Sequence, residues 1–142
     1  MIQKHLIFAA LFIILILRNE QTQASEQDRD ALFMMEEKTL FMSTTIQKSR
    51  GYSKPVADSI VYLGWWLTAQ SLCSEDILTH DMLVEYAERA AKRHSMEGEL
   101  FMDEGTFVAI LFKGQLRERS SLIPPFCEVM WDIRKKIEKT KN

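Results

Sequence analysis

The chain has 142 residues, with 18 Lys and Arg against 20 Asp and Glu, two Cys, three Pro and five Gly. That length fits one domain, and a formal charge of −2 lacks the basic excess on which nucleic-acid binding by bulk electrostatics depends. A hydrophobic share of 46% excludes wholesale disorder, and the scarcity of Gly and Pro weighs against a turn-rich β-sandwich.

Leu6 to Leu17 is an unbroken apolar run, preceded by Lys4 and followed by a polar stretch from Arg18. A basic start, an apolar segment of about 7–15 residues and a small-residue cleavage site together describe a secretory signal peptide. The expected cut falls between Ala24 and Ser25, with Thr22 and Ala24 as the small residues before it. This divides the chain into a signal peptide, residues 1–24, and a helical domain, residues 25–142. The competing reading, an uncleaved anchor, is short: the run makes a helix of about 18 Å against a hydrocarbon core of about 30 Å. No later run has membrane-spanning length, no N-x-S/T triplet offers a glycan acceptor, and no cysteine near the cut could carry a lipid.

Cys73 and Cys127 allow one intramolecular pairing. Outside the cytosol such a pair is expected to be oxidised, and closing the loop between them stabilises the fold by about 4 kcal/mol in the chain-entropy model. The alternative is a reactive thiol at Cys127, near a helix start. It has no C-x-x-C pattern and no histidine close in sequence to support it.

In chain order, the first helix is expected over residues 26–48, with Ser25 and Asp28 as a capping box. Leu32, Met35, Thr39, Met42 and Ile46 form its apolar stripe, while Phe33, Leu40 and Phe41 predict a second contact side. Gly51 ends it. The second helix follows Ser53 with Pro55 in its first turn. Val56, Ile60, Leu63 and Leu67 make it the candidate central helix, and Gly64 suits a close crossing. A third helix begins at the cap Thr79 and ends near His94, with Leu83, Tyr86, Ala87, Ala90 and Ala91 inward. Residues 95–105 read as an acidic connector. Residues 106–119 read as helix with Asp103 as cap and Phe107, Ile110, Leu111 and Gly114 on one face, strand being the alternative. The last helix starts at Pro124-Pro125 and carries Phe126, Met130, Ile133 and Ile137 at helical spacing. The fold class is therefore all-α, a single compact bundle of about five helices carrying one disulfide.

Several constellations invite chemistry. His80-Asp81-Met82 and His94-Ser95-Met96 offer soft ligands of the copper-handling kind, but i and i+2 on a helix point about 200° apart. The two pairs also lie at opposite ends of one predicted helix, so surface and capping roles are preferred. Asp76 and His80, four apart, would form a general-base dyad if they shared a helical face, with no third partner in view. Glu97, Glu99, Asp103 and Glu104 lack the spacing of a calcium loop. Met34, Met35 and Met42 read as core in preference to an adaptable groove, and Arg134, Lys135, Lys136, Lys139 and Lys141 as a solvated, dipole-complementing helix end. No residues are assigned to catalysis, a cofactor or a metal.

The reading that follows is an exported protein, periplasmic or secreted, that acts by binding another protein and makes no use of nucleic acid or a stable membrane span. In a host-associated bacterium this class would take the form of a secreted effector. The alternatives are a small exported hydrolase around Asp76 and His80, or a periplasmic stress chaperone, since small exported acid-stress chaperones share the outline of one disulfide across a helical domain. The intact mass of the exported protein is expected to match a chain beginning at Ser25 with no free thiol. A chain retaining residues 1–24, or alkylation of either cysteine without reduction, contradicts the corresponding expectation.

Overall fold

A computed structural model describes residues 26–141; the expected signal peptide, the Ala24–Ser25 cut and the Ser25 cap lie outside the described residues. Five α-helices make one bundle: α1 (Glu26–Arg50), α2 (Lys54–Leu72), α3 (His80–Arg93), α4 (Gly98–Glu118) and α5 (Ile123–Lys141), with a 3₁₀ turn at Ser120–Leu122 before the last. Among the described residues there is no strand, and no helix is long and apolar enough to cross a membrane.

Local chemistry sets the boundaries. Gly51 takes a left-handed conformation, φ 72°, and its N–H bonds Gln47 O at 3.0 Å, which ends α1 with an αL cap. Ser53 occupies the N-cap of α2 with Pro in the first turn, although its hydroxyl makes no capping bond. Thr79 caps α3 by accepting from Met82 N–H at 3.2 Å. At its other end Ser95 adopts φ 55°, with Met96 N–H on Ala91 O and Ser95 N–H on Lys92 O in a Schellman closure.

α2 is the central helix, buried on nearly every side by its four neighbours. Its most extensive partner is α4. There the backbones interlock through two glycines: a Cβ on Gly64 would sit 2.5 Å from Val108 Cγ1, and one on Gly105 would sit 2.5 Å from Leu63 Cδ2. Beside this crossing Trp65 stacks on Phe112, with centroids 3.7 Å apart, and tilts against Phe126 at 5.6 Å. Its indole N–H donates to Thr39 Oγ1 at 2.8 Å, so one side chain joins α1, α2, α4 and α5. The Cys73–Cys127 disulfide, with Cα atoms 5.5 Å apart, staples the end of α2 to the start of α5.

Three expectations are corrected. Residues 98–105 are the first two turns of α4 and not a connector, so Asp103 lies inside the helix and caps nothing. The buried face of α4 is Phe101, Gly105, Val108, Ala109, Phe112 and Leu116, which leaves Phe107, Ile110 and Leu111 exposed at 50%, 58% and 38%. The small residues won because they let α2 approach closely, and the larger stripe was turned outward. On α1, Phe33, Leu40 and Phe41 do not meet a second neighbour; they are 62%, 68% and 62% exposed. Met34, Met35 and Met42 are core, as are Phe126, Met130, Ile133 and Ile137.

The interlock predicts opposite signs for the same substitution at two glycines. Gly64→Ala must displace the stiff Val108 side chain, an overpacking cost of about 1–3 kcal/mol that exceeds the gain of about 1 kcal/mol in helix propensity. Gly114→Ala, with open space around it, is expected to stabilise by about 0.5–1 kcal/mol. Urea midpoints of the two variants compared with the parent check both.

Candidate functional site

Between α1 and α2 lies a cleft of about 320 Å³. The apolar side chains of Met35 and Leu40 line it, together with Tyr62 and the polar groups of Ser43, Gln47, Lys54 and Asp58. Helical spacing explains the arrangement: residues 36, 39, 40, 43, 44 and 47 share one side of α1, and 54, 58 and 62 share one side of α2.

The polar groups are fixed to one another. Asp58 accepts from Ser43 Oγ at 2.6 Å and from Lys54 Nζ at 2.7 Å, while Gln47 Nε2 donates to Ser43 Oγ at 3.2 Å. The result is a hydroxyl–carboxylate–ammonium chain that clamps α1 to α2 and holds a carboxylate rigidly in the cleft. Burial, and then the neighbouring Asp58 carboxylate, push the Tyr62 phenol well above its ordinary range, so it remains a neutral hydroxyl at physiological pH. Ser43 spends its proton on a carboxylate that an ammonium already neutralises. The Ser43 hydroxyl is thus held by a carboxylate that is itself ion-paired, an arrangement that does not by itself activate a nucleophile.

This cleft is not the site suggested by sequence reasoning. Asp76 sits in the turn before α3, where its N–H bonds Ser74 Oγ at 3.1 Å, and His80 is the first residue of the helix. Both side chains are exposed and they do not share a helical face. The two His-x-Met pairs are separated as expected at the two ends of α3. Met82 instead lies near Arg134 Nη2, 3.7 Å away, and His94 is the C-cap of α3, with Nε2 3.1 Å from Ser59 Oγ. The acidic residues 97–104 run from the N-cap of α4 into the helix, Glu104 pairing with Arg50 of α1 at 3.2 Å. Among the described residues no group of carboxylates, imidazoles or thiols is placed to hold a metal ion. Of the basic residues near the C-terminus, Arg134 is not solvated: it donates to Ile77 O at 2.9 Å and pairs with Glu138 at 3.1 Å. A sequence signal for the cleft was Asp58, a carboxylate within a largely apolar helix.

Comparison of the chain with protein-family models, with curated proteins and with solved structures finds no match.

Burial, and then the adjacent Arg93, lower the pKa of the His94 imidazole below the ordinary 6.5. The unfolded chain therefore takes up a proton at a higher pH than the folded one, and stability falls as pH drops below about 6.5, levelling off once the folded imidazole also protonates. In thermal melts between pH 7 and pH 5, His94→Gln is expected to lose less stability than the parent. An identical loss in both removes His94 from the pH response.

Proposed function

We propose that this chain is an exported binding protein whose partner is another protein, engaged through the α1–α2 face. The observation that carries the reading is a line of large apolar side chains, Phe33, Leu40 and Phe41, left in solvent on α1. Several large apolar side chains left exposed on one helix are uncommon on soluble proteins unless something covers them, and aromatic side chains are preferred anchors at interfaces. Leu40 is both the most exposed of the three and part of the cleft wall, so the apolar line runs into a recess with fixed polar groups. A partner helix or extended segment would lay apolar side chains along α1 and place one residue in the cleft, where Asp58 and the Tyr62 hydroxyl offer it hydrogen bonds.

Export is supported by two observations. The apolar run at residues 6–17 has the length and flanks of a signal peptide, and the Cys73–Cys127 bond suits an oxidising compartment. Met82 and His94 are engaged by Arg134 and Ser59, and Asp76 and His80 share no helical face, so what favours binding is the exposed apolar surface of α1.

The test is affinity capture from the extracytoplasmic fraction with the parent and with a Phe33→Ser/Phe41→Ser variant as bait. Both replaced side chains are exposed, so the variant should keep the parent's helicity and melting temperature. Its partner recovery should fall by at least about tenfold, equivalent to about 1.4 kcal/mol. Equal recovery with both baits would place the interface elsewhere.

A further inference from the structure

The outward face of α4 has a pattern that the α1 face lacks. Leu100, Phe107 and Gly114 recur every seven residues, and so do Asp103, Ile110 and Arg117, offset by three. The two series form one seam on the side of α4 turned away from α2, with Leu100, Phe107 and Ile110 between 43% and 58% exposed. The charges on it are sorted along the axis. Asp103 belongs to the N-terminal half, Arg117 to the C-terminal half, and neither makes an ion pair among the described residues. Nothing lies within 4 Å of where a Gly114 Cβ would be, so a second helix can come close there.

A seam with an apolar middle and opposite charges at its two ends is complementary to itself when reversed. Parallel alignment of two copies would set Asp103 beside Asp103 and Arg117 beside Arg117. Antiparallel alignment sets each against the other and also opposes the helix dipoles. We infer that α4 pairs with α4 of a second copy of this chain, antiparallel about a two-fold axis beside Phe107 and Ile110. Alternate packing of the two series puts Phe107 of one copy against Ile110 of the other. It leaves Asp103 and the opposing Arg117 about 4.5 Å apart along the axis, within an arginine's reach. Such a closed, isologous contact uses the same patch on both copies. Its few apolar side chains place it at the small end of specific interfaces, so association in the micromolar range is expected.

Sedimentation velocity of the purified protein over roughly 1–100 µM tests the assignment. A monomer–dimer equilibrium is expected, weakened at least about tenfold by Ile110→Glu and unchanged by Phe33→Ser/Phe41→Ser. Asp103→Arg and Arg117→Asp should each self-associate more weakly than the parent, because each makes both ends of the seam alike in charge. Mixing those two variants should restore association, as a contact between copies through these two ends requires. The antiparallel sense is read from each variant alone being weaker than the parent, because a parallel pair would already set like charges together in the parent. The inference is overturned by a monomer across the whole range, by a dimer indifferent to Ile110→Glu, or by a mixture no stronger than its components. Far-UV circular dichroism confirms that each variant is folded, and the mixing result stands even if Ile110→Glu is not.

Discussion

The close approach of α2 and α4 is the constraint on which the rest of the bundle depends. Gly64 accepts the Val108 side chain and Gly105 accepts Leu63, so each backbone supplies the recess that the other fills. A crossing of this kind brings the neighbouring side chains into register, and Trp65 meets Phe112 face to face beside it. With the indole held there, its N–H falls within reach of Thr39, and α1 is seated on the outside of α2. The order of dependence runs from two absent methyl groups to an aromatic stack and then to the placement of a whole helix.

The same constraint explains what the sequence disclosed and what it hid. The central role of α2, the Thr79 cap, the inward stripe of α5 and the pairing of Cys73 with Cys127 were legible, because periodicity, capping chemistry and cysteine count act locally or admit one solution. The face of α4 was not. Period 3.6 arithmetic weights large apolar residues and therefore selected Phe107, Ile110 and Leu111, whereas the packing was decided by Gly105, Ala109 and the shape of Val108. The beginning of α4 was missed for a related reason. Gly98, Glu99, Asp103 and Glu104 resemble loop chemistry, yet Phe101 is fully buried and pulls that segment into the helix. The cleft was illegible because its residues come from two helices, and only their docking brings Ser43 to Asp58.

Large apolar side chains on the outside thus have two origins here. On α4 they are displaced by small residues that pack better. On α1 Leu40 walls a mostly apolar recess whose polar groups are already bonded to one another, while Phe33 and Phe41 stay in solvent on the same helix. Both surfaces are offered by rigid helices, which lowers the ordering cost of association.

The position of the disulfide in the chain gives these surfaces a mechanical relation. The bond closes residues 73–127 into a ring that contains α3 and α4 entirely, and the ends it joins belong to α2 and α5. α1 lies outside the ring. Its covalent attachment to α2 is the short segment Gly51–Ser53, and otherwise it is held by side-chain contacts such as those of Thr39, Ser43 and Arg50. The cross-link therefore limits how far the other four helices can part and sets no limit on this one. In mechanical terms the cleft has two unlike walls: α2 belongs to the cross-linked part of the chain, whereas α1 is held to it by the short connection Gly51–Ser53 and by non-covalent contacts.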